Sequence, residues 1–250
     1  MDTEPDYCKA QATAKSGLVS LSSKYNSHAG LEQALPTYPN LTASSASSPI
    51  VLMMFLGFIL ILLAYFAGSL SSAVLVCRVM GLPDPRTEGS GNPGATNVLR
   101  LGGKRAAAVT LAADILKGVL PVLLARLLTE APVIFAGAAL AAFLGHLYPV
   151  FFQFQGGKGV ATALGGVLGL APVVALAMIL TWMTMAITFR YSSLSALTTA
   201  LLAPFYMFWL VAEPTYVAAI VAISVMTIWR HRSNLRRLVS GTEGKIGTRS

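Results

Sequence analysis

The chain has 250 residues, of which 55% are hydrophobic and only 11% are charged, and its mean hydropathy is +0.67. These values lie outside the range of soluble proteins and predict one polytopic membrane domain without a second, soluble domain. The net charge of +8 does not indicate nucleic acid as a partner, because the basic residues concentrate beside the ends of apolar segments. The two cysteines are far apart in sequence, which supports neither a disulfide framework nor a metal site.

The N-terminal region is polar and lacks apolar periodicity, so we predict a disordered extension over residues 1–49 and a membrane domain over residues 50–250. The first apolar segment, residues 50–76, is long enough to span a bilayer with tilt. Near its end lies a patch of small residues, 68–72. We expect this patch to be a packing surface for a neighbouring helix.

The loop over residues 78–105 is rich in basic residues, so the positive-inside rule places it in the cytoplasm. Three glycines and one proline within residues 89–94 predict a shaped loop over residues 89–100, whose backbone N–H groups can bind an anion. An interhelical turn explains the same residues if they stand alone. The run also offers hydroxyl, amide and guanidinium groups that suit a phosphate or a polyol, on Ser90, Asn92, Asn97 and Arg100.

The second apolar segment, residues 106–128, carries two charges on one helical face, Asp114 and Lys117. Either they neutralise one another, or Asp114 faces the basic residues of the preceding loop; the sequence leaves both possibilities open. The third segment, residues 133–150, contains His146. In an apolar helix we expect this histidine to be a packed, hydrogen-bonded side chain.

A second glycine motif follows, in which three glycines surround one lysine. Such a run forms a backbone nest beside a point charge, which suits a phosphate. It is not a nucleotide-binding P-loop, because a glycine stands where the magnesium-binding Ser or Thr would follow the lysine. The motif consists of Gly156, Gly157, Lys158 and Gly159.

The apolar stretch over residues 159–189 is too long for one span, and we divide it near Pro172. Two further apolar segments, residues 194–211 and 216–229, precede a basic C-terminal tail. This division puts both glycine motifs and the tail on one side of the membrane. We therefore predict an all-α, polytopic integral membrane protein of about seven spans, with the N-terminus outside and the C-terminus cytoplasmic.

A third polar cluster follows the last apolar segment and contains His231 and Asn234, three residues apart. If the last helix continues through them, the two side chains share a face and point at the pocket of the glycine motifs. Taken alone, the surrounding arginines are explained equally well as an anchor on anionic lipid.

Together the three clusters resemble one family, the bacterial membrane acyl-phosphate:glycerol-3-phosphate acyltransferases of the PlsY type. The matching motifs are the Gly-Ser-Gly-Asn-Pro-Gly-Ala-Thr-Asn run, the Gly-His-x-x-Pro-Val-Phe run leading to Gly-Gly-Lys-Gly-Val-Ala-Thr, and the terminal Arg-His-x-x-Asn. The resemblance covers residues 53–245. It implies that residues 156–159 are the glycerol-phosphate loop, that Glu243 is structural, and that the catalytic residues are Ser90, Arg100, His231 and Asn234.

The resemblance implies transfer of a fatty acyl group from acyl phosphate to the 1-hydroxyl of sn-glycerol 3-phosphate, giving lysophosphatidic acid and phosphate for phospholipid biosynthesis. The reaction would take place at the cytoplasmic side of a bacterial inner membrane. Acyl phosphate is already activated, so we expect neither a metal nor a cofactor, and catalysis by positioning and charge stabilisation. The sequence makes no prediction of oligomeric state.

For the substrates that the resemblance implies, we expect Lys158 and the amides of its loop to hold glycerol phosphate, and Ser90 and Arg100 to hold the acyl phosphate. Asn92 and Asn97 are expected to bind substrate. We expect His231 to act as a base or to orient the hydroxyl, with Asn234 fixing it.

Other interpretations are weaker. Ser90 lacks the Gly-x-Ser-x-Gly elbow that an acylated serine nucleophile would need. No histidine is followed at the fifth position by aspartate, which excludes acyltransferases that use a His-x-x-x-x-Asp pair.

A transporter for an organic phosphate would need its anion site near the midplane rather than at one membrane edge. A structural membrane subunit would not need three polar motifs on one side.

Overall fold

The computed structural model describes residues 47–247, and all regular structure in that range is helical. The predicted disordered extension lies outside the described residues, except for its last three residues, where the first helix already begins. A one-turn 3-10 helix, Val150–Phe152, follows the α-helix Pro132–Leu147. The α-helices of the described range are α1 (Ser47–Gly68), α2 (Ser72–Val79), α3 (Ala95–Leu128), α4 (Pro132–Leu147), α5 (Val160–Leu170), α6 (Pro172–Phe189), α7 (Ser192–Leu210), α8 (Pro214–Arg230) and α9 (Arg232–Val239).

Within residues 47–247, five helical segments are long and apolar enough to cross a membrane. They correspond to α1, α3, α4 with the turn after it, α6 and α7. Two further helices, α5 and α8, are apolar but shorter. The predicted division near Pro172 is confirmed, because α5 ends at Leu170 and α6 begins at Pro172. The protein is therefore an all-helical integral membrane protein.

The first apolar segment is not one continuous span as expected, because the helix breaks between Gly68 and Ser72. The predicted packing role of this patch is confirmed. A Cβ on Gly68 would clash with the carbonyl of Ala142, and one on Gly145 would clash with the carbonyl of Tyr65. Small residues thus allow α1 and α4 to approach backbone to backbone.

The first glycine motif is a loop only in its first half. Residues 95–100 were expected to continue the loop, but they form the start of α3. The reason is local: after Gly94, the N-cap of α3, the run contains neither glycine nor proline until Gly102. The α3 helix is interrupted at Gly103, whose φ of 75° lies in the left-handed region. This interruption separates the short N-terminal part of α3 from its long membrane-spanning part.

Hydrogen bonds at the two ends of the helices show which interhelical segments lie next to one another. At one end, Arg126 donates to the Leu170 carbonyl oxygen at 3.0 Å and to the Tyr216 hydroxyl at 3.3 Å. At the opposite end, the segments carrying the three motifs are joined by hydrogen bonds between Thr96 and Ser192, Lys158 and Asn234, and Arg190 and Ile246.

Candidate active site

The three motif segments form one polar site at their shared end of the helices. A Cβ built on Gly157 would lie 3.0 Å from the carbonyl oxygen of Pro93, so the two glycine loops touch. A Cβ on Gly244 would lie 3.3 Å from the Arg100 guanidinium, which brings the C-terminal segment beside the first motif. The structure thus brings together chain segments that are far apart in sequence.

The first loop is held in shape by the buried side chain of Asn97. Its amide nitrogen donates to the carbonyl oxygens of Pro85 at 2.9 Å and Glu88 at 3.0 Å, and its oxygen accepts the backbone N–H of Ser90 at 2.9 Å. The polar atoms of Asn97 are therefore occupied inside the loop. The side chains of Ser90 and Arg100 are exposed, and that of Asn92 is half-buried.

The second loop lies between His146 and Arg230. The N–H of Gly157 donates to the His146 carbonyl oxygen at 3.2 Å. This amide therefore cannot bind an anion, contrary to the expectation for the loop amides. On the other side, Arg230 donates to the carbonyl oxygens of Gly156 at 2.8 Å and Gly157 at 3.0 Å. Gly159, with a φ of 79°, ends the loop as the N-cap of α5.

A chain of hydrogen bonds runs outward from Lys158. Its ammonium group donates to the side-chain oxygen of Asn234, and the Asn234 amide donates to Glu243 at 2.7 Å. The other oxygen of Glu243 accepts from Arg237 at 2.7 Å. Lys158 uses one of its three N–H donors in this chain, which leaves donors for a ligand.

His231 stands at the break between α8 and α9, so the last helix does not continue through it as the motif suggested. Both His231 and Asn234 are nevertheless buried, at 3% and 6% exposure. The expectation that Asn234 fixes His231 is wrong, because Asn234 bonds to Lys158 and Glu243. His231 Nδ1 lies 2.8 Å from the Thr227 carbonyl oxygen. A carbonyl only accepts, so Nδ1 carries the proton and Nε2 keeps its lone pair.

The charges of the site depend on its burial. The pKa of Lys158 is lowered to about 8, first because burial disfavours the ammonium ion and then because Arg237, Arg230 and Arg100 repel it, while Glu243 acts in the opposite sense. Lys158 is therefore mostly protonated at neutral pH but titrates far below a free lysine.

The pKa of His231 is lowered to about 4, chiefly by burial and further by the Lys158 charge, against the hydrogen bond to Thr227. Its imidazole is neutral at pH 7. Burial raises the pKa of Glu243, but hydrogen bonds from neighbours that include Asn234 and Arg237 outweigh that effect, so the net pKa is lowered and the group stays ionised.

A narrow apolar crevice between α5, α6, α7 and α8 reaches the polar site. One of its lining residues, Val160, directly follows the glycine loop, and another, Thr227, holds His231. An apolar crevice beside a cationic site is the arrangement that a molecule with a fatty chain and an anionic head needs. Other lining residues are Ala163, Met178, Ala200 and Ile220.

Sequence reasoning missed three residues that shape this site. Arg230 clamps the glycine loop, but its position in a run of arginines indicated only topology. Ser192 contacts the first motif, and the Thr227 carbonyl orients His231. A serine at a helix start and a backbone carbonyl carry no sequence signal for these contacts.

The fold and the site together define a class: an integral membrane protein that takes a phosphate-bearing molecule at one end of its helices. A family model described as glycerol-3-phosphate acyltransferase matches residues 58–241. The chain belongs to this family, the membrane glycerol-3-phosphate acyltransferases of the PlsY type.

Individual relatives agree over most of their length. The chain is 56% identical over 190 residues to a glycerol-3-phosphate acyltransferase of Halorhodospira halophila, covering 76% of this chain and 96% of the relative. It is 57% identical over 197 residues to that of Thioalkalivibrio sulfidiphilus, covering 79% and 97%.

Two solved structures are also similar, both of PlsY (YgiH), an integral membrane glycerol 3-phosphate acyltransferase. The glycerol 3-phosphate form has a TM-score of 0.73 at 39% identity, covering 77% of this chain and 96% of that one. The lysophosphatidic acid form has a TM-score of 0.71 at 38% identity, with the same coverage.

Changing Asn97 to Asp should loosen the first loop. The new carboxylate loses both donors and faces the carbonyl oxygens of Pro85 and Glu88, so two hydrogen bonds become repulsive contacts. We expect backbone amides of residues 86–92 to exchange hydrogen markedly faster in Asn97→Asp, measured by mass spectrometry. Asn92→Asp makes the same chemical change in the same loop and should leave this exchange unaltered. Equal exchange in both variants would contradict the role of Asn97.

Proposed function

We propose that this acyltransferase moves a fatty acyl group from acyl phosphate to the 1-hydroxyl of sn-glycerol 3-phosphate, releasing lysophosphatidic acid and inorganic phosphate. The observation that carries the proposal is a half-buried cation, Lys158, in a site where two glycine loops meet beside an apolar crevice. Both substrates bear a phosphate, and one bears a fatty chain. The similar structures were obtained in glycerol 3-phosphate and lysophosphatidic acid forms, which supports the acceptor and the product.

Lys158 is the residue that holds the phosphate of glycerol 3-phosphate. Its half-buried ammonium group has donors left after bonding to Asn234, and partial removal from water strengthens a charge-assisted hydrogen bond. Gly156 and Gly157 serve to shape the loop, since their carbonyls bond to Arg230. Gly159 turns the chain into α5 and so completes the loop.

Ser90 and Arg100 bind the phosphate of the donor, assisted by Asn92. The side chains of Ser90 and Arg100 are exposed, Arg100 is close enough to Lys158 for its charge to lower the pKa of that lysine, and a hydroxyl with a guanidinium matches the oxygens of an acyl phosphate. We assign Asn97 to holding this loop rather than to substrate binding, because its polar atoms are already paired. The fatty chain of the donor extends from the polar site towards the lipid.

His231 orients the acceptor hydroxyl instead of acting as a strong base. Its Nε2 lone pair accepts a hydrogen bond from the 1-hydroxyl, but a pKa of about 4 makes it a poor proton acceptor at neutral pH. The hydroxyl oxygen forms a bond to the acyl carbon as the bond from that carbon to phosphate breaks. The proton leaves on the departing phosphate, which is released as hydrogen phosphate.

We further propose about seven spans, with the N-terminus outside and the site facing the cytoplasm of a bacterial inner membrane. The two short apolar helices supply the sixth and seventh crossings. The arginines and lysines of the first loop and of the C-terminal tail support this orientation.

The test is phosphate release by the purified protein in detergent, given palmitoyl phosphate and glycerol 3-phosphate. We expect release, with lysophosphatidic acid formed, only when both substrates are present. Lys158→Ala should lose at least about a hundredfold in kcat/KM, because one charged hydrogen bond to phosphate is removed from a half-buried site. Arg236→Ala is a control that removes an exposed cation outside the site. Saturable uptake of glycerol phosphate into proteoliposomes without turnover would contradict the proposal.

The pH profile should report Lys158. A lysine with a pKa of about 8 loses its charge above that pH, so kcat/KM for glycerol 3-phosphate should fall as pH rises through about 8. Lys158→Arg keeps a positive charge at every accessible pH and should lack this alkaline limb, even if its overall rate is lower. An unchanged limb in Lys158→Arg would assign the titration to another group.

A further inference from the structure

Three ionisable side chains are buried together beneath the glycine loop, and the proposed reaction uses none of them. Asp114 is 2% exposed, His146 7% and Lys117 8%. One oxygen of Asp114 lies 2.9 Å from Lys117 Nζ and 3.5 Å from His146 Nδ1. Buried charges inside a membrane protein are costly, so this cluster requires a physical reason.

Part of the reason is the broken first helix. Lys117 Nζ donates to the carbonyl oxygen of Leu70 at 2.8 Å, a carbonyl located in the break between α1 and α2. Lys117 thus satisfies a backbone group that lipid cannot, and Asp114 neutralises Lys117. The sequence left two alternatives open for Asp114, and the structure shows the first, in which Asp114 and Lys117 neutralise one another. It leaves the contact of Asp114 with His146 without an explanation.

The other edge of the His146 ring explains that contact. A Cβ on Gly157 would clash with His146 Nε2, so the ring presses directly against the Gly157 backbone. The His146 carbonyl accepts the Gly157 N–H from the same side. The imidazole therefore fills the space between Asp114 and the residue that immediately precedes Lys158.

Arg230 closes the arrangement from the opposite face, where it donates to the Gly156 and Gly157 carbonyls. The loop is held between the His146 ring and the Arg230 guanidinium. A shift of either group moves the Gly157 backbone, and with it the root of the Lys158 side chain.

We propose that His146, which contacts Asp114 at its Nδ1 edge, is a positioning residue. It fixes the position of the Gly157 backbone, and so the distance between the Lys158 ammonium group and the phosphate of glycerol 3-phosphate. The inference rests on the proposed role of Lys158. His146 acts through the backbone of the loop and does not touch substrate. Its imidazole suits the task because it is rigid and has a polar atom at each edge, one towards Asp114 and one towards Gly157.

Steady-state kinetics of the purified protein in detergent tests this proposal. His146→Ala empties the space under Gly157, and we expect the KM for glycerol 3-phosphate to rise by about tenfold or more, since small misplacements of binding groups are costly. The KM for palmitoyl phosphate should stay within about twofold. His146→Gln, whose side-chain amide reaches the place of Nε2, should recover most of the lost affinity.

Two further variants separate positioning from folding. The double variant Asp114→Asn with Lys117→Met removes both charges at nearly constant volume, and it should raise the same KM by a smaller factor because the ring loses only its anchor. Arg126→Met removes an exposed cation whose guanidinium donates to a helix-end carbonyl at the opposite end. It should lower the melting temperature and leave both KM values unchanged.

The outcomes are distinguishable. A purely structural role would reduce the amount of folded protein or kcat in His146→Ala with the KM for glycerol 3-phosphate unchanged, and this would overturn the proposal. An equal rise in both KM values would overturn it as well, since the effect would not be specific to the second loop. If Lys158→Ala leaves the KM for glycerol 3-phosphate unchanged, the proposed function of that loop fails first, independently of His146.

Discussion

The ammonium group of Lys158, half-buried at the end of a membrane helix bundle, is the constraint on which the rest of the site depends. Removing a charge from water costs several kcal/mol unless it is paired. Here the compensation is indirect, because the Asn234 amide stands between Lys158 and the Glu243 carboxylate. An amide relay stabilises the cation without consuming all its donors, so Lys158 remains able to bind an anion. A direct ion pair would hold the carboxylate in the place proposed for the phosphate.

The bilayer explains why each break in the helices around this site has a hydrogen-bond partner inside the protein. α1 and α2 part at Gly68, α3 bends at Gly103, and α8 and α9 part at His231. Each break frees backbone groups that lipid cannot satisfy, so the chain supplies partners from within. Lys117 donates to the Leu70 carbonyl oxygen at the first break, and at the last break His231 Nδ1 donates to the Thr227 carbonyl oxygen of α8. The polar residues inside the bundle thus support the shape of the site.

The sequence pattern was enough to predict an all-helical membrane protein, the division at Pro172 and the two glycine motifs, because hydropathy and glycine density are local signals. It could not predict that Ala95–Leu128 begins inside the first motif, since a helix start depends on where the loop ends. Hydrogen-bond partners were the least predictable. Asn234 pairs with Lys158, 76 positions away, and Arg230 with Gly156, 74 away. Such pairs are set by long-range packing.

The most direct test of the account is a crystal structure of this chain with glycerol 3-phosphate bound. The account predicts the phosphate within about 3 Å of Lys158 Nζ, with Asn234 still bonded to the ammonium group and Gly157 still resting on the His146 ring. It also predicts the 1-hydroxyl next to His231 Nε2. A phosphate bound instead on the exposed arginines of α9, with Lys158 paired only inside the protein, would contradict it.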